Sequence, residues 1–275
     1  MTILGGARIN FKIVIRTIAR RYPIHRKIKK LYPYIKETAY RRGRNNYFTL
    51  SDEKDITFFL PHRGDYIQQQ IILTHSFYEL DLLQKVKNDI NSDSVVIDVG
   101  SNIGNHAVYF GKIASARKIY SFEPNKVAFD VLKVNIDLNG LSTKTQLYNF
   151  ALGSKSGKAE ISIDGRIYDN LGYTILRESV TGEIEIKSLD ELNIIENKID
   201  FIKIDVEGFE IEVLKGALLT IQKYLPIIWV ESFDDKYISV ENFLTENGYV
   251  LRESLPNSNH IFIPNRLCQN TAYPK

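Results

Sequence analysis

Val95-Val96-Ile97-Asp98-Val99-Gly100-Ser101-Asn102-Ile103-Gly104-Asn105-His106 runs from an apolar stretch into a glycine turn and on into helix-compatible sequence. Its opening residues are mostly β-branched and do not alternate with polar ones, which predicts a strand buried on both faces, as inside a parallel sheet. The turn calls for glycine for two reasons. Gly100 lets the backbone fold sharply and approach a ligand, and Gly104 lets the helix start close to the strand. Asp98 falls at the carboxyl end of the strand, where open parallel sheets bind ligands and where a carboxylate suits a cationic amine.

On both sides of this stretch, short β-branched runs alternate with helical periodicity. Strands are predicted over 95–99, 118–122, 145–150, 201–205 and 227–231, with helices over 104–114, 126–138, 209–224 and 240–247 between them. Two last strands, over 249–253 and 260–263, complete the pattern. This rhythm predicts an α/β fold with a doubly wound, mostly parallel, seven-stranded Rossmann-like sheet. Residues 153–183 are Gly-rich and polar, with short alternating stretches, and predict a small antiparallel insertion on the rim of the sheet. Upstream, 47–50 and 56–60 read as a strand pair. Ser76 followed by Glu79 fits a capping box that opens a helix with Phe77, Leu80, Leu83 and Val86 on one face.

The strand over 118–122 runs into Glu123-Pro124-Asn125, so Glu123 reaches the same sheet edge, 19 residues after Gly104. A carboxylate there can accept hydrogen bonds from both ribose hydroxyls of a nucleoside cofactor. Dinucleotide binding requires G-x-G-x-x-G to seat a pyrophosphate on the helix N-terminus. Here Gly100 and Gly104 are four apart with Asn102 between them, and Asp98 would repel a pyrophosphate. S-adenosylmethionine carries an amine, a carboxylate and a ribose but no phosphate, and it suits this constellation better.

Ile199-Asp200-Phe201-Ile202-Lys203-Ile204-Asp205-Val206-Glu207-Gly208 is the second dense cluster. If extended geometry persists to its end, alternation places Lys203, Asp205 and Glu207 on one face. Such charges in a buried strand are costly unless paired or used. Either Asp205 or Glu207 could serve as general base toward a hydroxyl, the other orienting it or holding the acceptor; a plain ion pair with Lys203 is the alternative. Glu231, ending the next strand, is a candidate for lining the acceptor pocket. His106 is placed either to contact donor or acceptor or simply to start a helix. The acids are compatible with a divalent ion without requiring one. His25, His62, His75 and His260 form no metal motif, and Trp229 reads as core.

The formal charge of +3 over 275 residues averages two unlike parts. Residues 1–45 hold 13 Lys or Arg and one acid, Glu37, whereas residues 46–275 hold 23 bases and 32 acids. In the arm Phe11, Val14, Ile15 and Ile18 recur at helical spacing beside Arg8, Lys12, Arg16 and Arg20, the pattern of a basic amphipathic helix. It fits an anionic surface (lipid headgroups of a membrane, a lipid-linked acidic glycan or nucleic acid), or else a face packed on the body or on a homodimer partner. One cysteine, Cys268, excludes an intrachain disulfide and a thiolate zinc site. No apolar run approaches the roughly 20 residues of a membrane span. A cytoplasmic protein is the expectation, either soluble or peripheral at the inner membrane face. The expected organisation is a basic arm over 1–45, a strand pair and helices over 46–93, and the main domain over 94–275.

Taken together, VVIDVGSNIGNHAVYF (95–110), IYSFEPN (119–125), NFALGSKSG (149–157), IKSLDEL (186–192), IDFIKIDVEGFEIEVLKGA (199–217) and NHIFIP (259–264) resemble the FkbM-type methyltransferases, a family with the class I S-adenosylmethionine-dependent fold. The resemblance covers roughly residues 94–263. It implies O-methylation of a sugar hydroxyl in a surface glycan or glycolipid, or of a secondary metabolite. It implies that Asp98, Gly100, Asn102 and Gly104, with Asn105 beside them, form the donor loop, that Glu123 holds the ribose, and that Phe150 and Ala151 meet adenine. Asp205 and Glu207, with Lys203, match the family's acidic motif on the acceptor side. A glycan or small-molecule acceptor is expected, and no nucleic acid. An NAD-dependent sugar-modifying enzyme would need the missing third glycine. A nucleic-acid amino methyltransferase would carry Asp/Asn-Pro-Pro-aromatic where this chain has Asp205-Val206-Glu207-Gly208.

Overall fold

The computed structural model describes residues 46–53, 55–162, 171 and 175–268. The basic arm predicted for residues 1–45 lies outside them. Along the chain come β1 (Tyr47–Thr49), β2 (Thr57–Phe59), α1 (Tyr66–Thr74), α2 (Leu80–Val86), β3 (Val95–Val99), α3 (Asn105–Lys112), β4 (Lys118–Phe122), α4 (Lys126–Leu138) and β5 (Thr145–Tyr148). Then follow β6 (Ala151–Leu152), β7 (Gly157–Ser162), β8 (Ile175–Glu178), β9 (Ile184–Lys187), β10 (Phe201–Ile204), α5 (Glu210–Gly216), α6 (Leu218–Tyr224) and β11 (Ile227–Glu231). The last elements are α7 (Asp234–Glu246), β12 (Tyr249–Leu255), β13 (Asn259–Pro264) and α8 (Asn265–Cys268).

The main sheet has seven strands in the order β12-β13-β11-β10-β3-β4-β5. β11, β10, β3, β4 and β5 pair in parallel, and β13 is antiparallel to both of its neighbours. The doubly wound, mostly parallel sheet expected from the sequence is therefore present. A second sheet, β6-β9-β7-β8, forms the insertion. β7 is antiparallel to β8 and β9, while β6 runs parallel to β9.

Alternation along β3 and β10 divides the core between the two faces of the main sheet. Val96, Phe201, Trp229 and Ile261 pack with Ala107, Val108 and Phe110 of α3, Val131 and Leu132 of α4, and the apolar residues of β2, α1 and α2. Ile97, Ile202, Ile204 and Val230 pack with Val213 and Leu214 of α5, Ile221 of α6 and Val240 and Leu244 of α7. Residues 46–93 thus share the first core. The β2 edge is sealed by side-chain amides from α4. Asn135 Oδ1 accepts from the Phe59 N–H at 2.6 Å, its Nδ2 donates to the Ile103 carbonyl at 2.8 Å, and Asn139 bonds both backbone groups of Thr57.

Four local expectations are corrected. Ser76 does not cap α2: the helix begins at Leu80 after Glu79, which is left-handed (φ 57°) and makes no capping bond. The strand over 145–150 ends at Tyr148, because the Asn149 amide donates to the carbonyls of Glu123 and Pro124 and turns the chain toward the second sheet. The helix over 209–224 divides at Ala217. It does so beside Gly216, where a Cβ would run into the Gly153 carbonyl. Finally, β10 stops at Ile204 and Glu207 is left-handed (φ 51°), so strand alternation does not place Glu207 beside Lys203 and Asp205. Helix α1 was not anticipated at all. Asp65 caps it through Oδ1 and accepts the Leu171 N–H on Oδ2 at 2.8 Å.

Candidate active site

A cavity opens beyond the carboxyl ends of β3, β4, β10 and β11. Gly100, Ser101, Asn102, Glu123, Phe150 and Ala151 line one end, and Tyr66, Tyr78, Glu79, His106, Asp205, Glu207 and Glu231 line the other.

At the first end the chain turns so tightly that Gly100 (φ 80°) lies against β10's exit, and a Cβ there would overlap the Asp205 carbonyl. The Gly100 and Ser101 N–H groups both donate to the Phe122 carbonyl at 3.0 Å. This brings the turn to Glu123, whose Oε2 accepts the Asn102 N–H and whose Oε1 accepts the Asn125 N–H, each at 2.8 Å. Burial pushes the Glu123 carboxyl up to about 7, against the pull of these two N–H bonds. The Asn102 side-chain oxygen is buried and has no hydrogen-bond partner among the described residues. Phe122, Tyr148 and Phe150 form an aromatic cluster, with Phe122 and Tyr148 stacked at 4.7 Å.

Gly104, Asp98 and Lys203 stand behind this wall and do not line the cavity. Gly104 serves close packing against α4 more than against the strand, since a Cβ would come within 2.7 Å of Leu132 Cδ1. Asp98 is fully buried, and the cation it faces is Lys203, 3.8 Å away on the neighbouring strand. The Asn105 amide is committed to Tyr78: it accepts that residue's N–H and donates to its carbonyl, both at 3.0 Å.

At the acidic end, Lys203 Nζ lies 3.0 Å from Asp205 Oδ2 and its side chain is only 2% exposed. Burial alone would pull the Lys203 ammonium down, but the Asp205 and Asp98 carboxylates hold it above the usual lysine range. Burial likewise pushes Asp205 up, and the Lys203 charge with hydrogen bonds from Glu231 and Lys203 more than reverses it, so Asp205 titrates low. Its partner Glu231 is driven the other way, by burial and by the Asp205 charge, so that it stays protonated and donates to Asp205. Burial, Asp205 and Glu210 push Glu207 up to about 8. The Asp205 side chain remains 26% exposed and so can still meet a bound molecule. The group is thus one ionised carboxylate, held by a buried ammonium and a carboxylic acid, on a residue whose backbone adjoins the glycine turn.

His106 is part of this end. Its Nε2 lies 3.5 Å from Glu79 Oε2, and its ring meets Trp229 edge-on at 5.3 Å. Trp229 is fully buried and donates to Asn259 Oδ1 at 2.6 Å, the core role expected for it. Tyr66, Tyr78 and Glu79 were not anticipated. They come from α1 and the turn before α2, where the sequence marked Glu79 only as part of a capping box and gave no sign of a cavity. Among the described residues no group of three or more His, Cys, Asp or Glu is arranged to hold a metal ion, and no helix is long and apolar enough to cross a membrane.

A family model described as the methyltransferase FkbM domain matches residues 98–251. The chain is 34% identical over 149 residues to the hexuronic acid methyltransferase AglP of Haloferax volcanii, covering 52% of this chain and 58% of AglP. It therefore spans less than two thirds of that relative. It is 25% identical over 196 residues to the methyltransferase sdnD of Sordaria araneosa, covering 58% of this chain and 75% of sdnD. Among solved structures, the methyltransferase FkbM from Methylobacillus flagellatus is similar with a TM-score of 0.46 and 16% identity, over 87% of this chain and 60% of that one.

Proposed function

The chain belongs to the FkbM methyltransferase family, and from that premise we propose that it transfers a methyl group from S-adenosylmethionine to a hydroxyl oxygen. The acceptor is a sugar of a surface glycan or glycolipid, or a secondary metabolite, a reading supported by AglP, whose name records a sugar acid as its substrate. The observation that carries the reaction is the Asp205 carboxylate held ionised by Lys203 and Glu231 on the cavity wall beside the glycine turn.

The residues at the first end fit the donor. Glu123 and the unpartnered Asn102 oxygen offer acceptors to ribose hydroxyls and an amine, the tight turn at Gly100 leaves backbone close to the ligand, and Phe150 and Ala151 give the adenine an apolar wall. S-adenosylmethionine supplies, when bound, an electrophilic methyl on a sulfonium that leaves as a neutral thioether. Asp205 receives the proton that the hydroxyl sheds as it becomes an ether. A carboxylate suffices, because an alcohol oxygen that is gaining a methyl group becomes a strong acid. Lys203 and Glu231 keep Asp205 charged until that proton arrives, and Asp98 keeps Lys203 in place. Glu207, with its raised affinity for a proton, is suited to hold the acceptor as a hydrogen-bond donor or acceptor. No role in this scheme calls for a metal ion.

The charge of residues 1–45 supports a peripheral position on an anionic membrane at its cytoplasmic side, where a glycolipid acceptor would be presented. The test of the reaction is incubation of the protein with methyl-labelled S-adenosylmethionine and fractionated extracts of its source, followed by mass spectrometry. A labelled methyl ether that vanishes with Asp205→Asn supports hydroxyl methylation; label on nitrogen, or full labelling by Asp205→Asn, overturns it.

A further inference from the structure

We infer that Glu79 is a positioning residue of the acceptor end: its carboxylate holds the Nε2–H of His106, and the ring so fixed bonds a hydroxyl of the acceptor through Nδ1. The inference rests on the hydroxyl-methylation reading and names how that acceptor is held beside Asp205.

Glu79 stands in a conformation that its own chemistry does not favour. It precedes α2 with a left-handed backbone (φ 57°), which a residue bearing a Cβ adopts at a cost, and its carboxylate makes no bond to the start of the helix. The side chain is turned into the cavity wall instead. There it is only 10% exposed, and it brings Oε2 to 3.5 Å from His106 Nε2. This placement is enforced by α3. The Asn105 amide bonds both the N–H and the carbonyl of Tyr78 at 3.0 Å, so the residue before Glu79 is tied to the residue before His106.

The ring is fixed by its other neighbours as well. Trp229 meets it edge-on at 5.3 Å, and Phe110 of the same helix lies 6.3 Å away. Of its two nitrogens, Nε2 is buried, and the polar group it faces is the Glu79 carboxylate. A carboxylate accepts a hydrogen bond, so it selects the ring form that carries hydrogen on Nε2. Nδ1 is then the remaining polar atom of a ring that lines the cavity. A hydroxyl both donates and accepts, so it bonds Nδ1 whether or not that nitrogen carries a proton. Glu79 lies upstream of the matched residues 98–251, so the hold on His106 comes from the segment over 46–93 and not from the matched domain.

The first readout needs no acceptor. Nitrogen-15 spectra of the full chain in alkaline buffer, with His106→Gln to assign the ring, are expected to show a single tautomer, protonated on Nε2 and bare on Nδ1. Glu79→Gly removes the carboxylate and suits the left-handed backbone, and Glu79→Gln keeps the side-chain volume, so a loss seen in both is not one of folding. In each variant the single tautomer should give way to a mixture. The second readout is methyl transfer to a dilution series of the extract fraction that the wild type labels. Both variants should need on the order of tenfold more of that fraction for half-maximal labelling, with affinity for S-adenosylhomocysteine within a few-fold of the wild type's. A proton on Nδ1 of the wild type in that buffer, a tautomer unchanged in both variants, or an unchanged dilution curve overturns the inference and leaves methyl transfer standing. Absence of any labelled hydroxyl with the wild type overturns the hydroxyl-methylation reading and this inference with it.

Discussion

Asp205 is the residue on which most of the chemistry converges, and its state is set by neighbours from three strands. Lys203 precedes it on β10, Asp98 sits across from Lys203 on β3, and Glu231 ends β11. In Asp205→Asn the amide cannot take a proton, so turnover should fall by about two orders of magnitude or more, the usual weight of a general base. Binding of S-adenosylhomocysteine should stay within a few-fold. Unchanged turnover would return the cluster to a purely structural role. Glu123 makes a separate prediction about pH. Its folded-state value is raised from 4.5 to about 7, so the folded protein favours the protonated acid. Its contribution to stability is therefore lost as pH rises from about 5 through 7, and Glu123→Gln should flatten the pH dependence of the denaturation midpoint in that window. Donor binding runs the opposite way, since the carboxylate is the better acceptor for ribose hydroxyls. Affinity for S-adenosylhomocysteine should rise with pH through about 7 in the wild type and not in Glu123→Gln.

Residues of this kind were legible in the sequence when a strand end announced them. Asp205 and Glu231 follow buried β-branched runs and Glu123 follows the largely buried strand Lys118–Phe122, and such runs leave few positions where a charge can reach a sheet edge. Glu79, Tyr78 and Tyr66 were not legible, because only the tertiary fold brings the turn before α2 against α3. Asn105, expected in the donor loop, lines the cavity, and its amide also anchors Tyr78.

At the scale of elements, the exit of β10 is shaped by glycine as much as by charge. Gly100 takes a positive φ and leaves no room for a Cβ beside the Asp205 carbonyl. Gly100→Ala should thus destabilise the protein by more than about 1 kcal/mol in urea unfolding and weaken donor binding as well, because the turn and the base share that contact. The docking of β2 rests on α4 amides, and Asn135→Leu strands a buried Ile103 carbonyl and the Phe59 N–H. A loss of about 1–3 kcal/mol in the same measurement is expected. The alternating strands and helices were readable because parallel strands are apolar throughout and α4 has a clean helical period. Helix α1 escaped because Gln68, Gln69 and Gln70 are polar yet buried, Gln68 and Gln69 bonding the backbone of His62 and Arg63, so no apolar stripe shows. The apparent capping box failed because the Glu79 carboxylate faces His106. The alternation argument for Glu207 failed because the strand ends three residues before it.

At the scale of the whole molecule, the contrast between a basic segment over 1–45 and an acidic remainder is a property of the sequence. The proposal drawn from it is membrane docking. Deleting residues 1–45 should abolish salt-sensitive sedimentation with vesicles containing anionic lipid while leaving S-adenosylhomocysteine binding intact; equal sedimentation removes the membrane role. In the body, the topology sends β3, β4, β10 and β11 to one edge, so that a donor end built by β3 and β4 lies beside an acceptor end built by β10, β11 and the α2 turn. Everything proposed about chemistry depends on that division of the cavity. It is tested most directly by calorimetric titration of S-adenosylhomocysteine into the wild type, Glu123→Ala and Asp205→Asn. One-to-one binding by the wild type and Asp205→Asn, with binding lost in Glu123→Ala, is the predicted result. Binding that survives Glu123→Ala, or that is lost in Asp205→Asn, would contradict it.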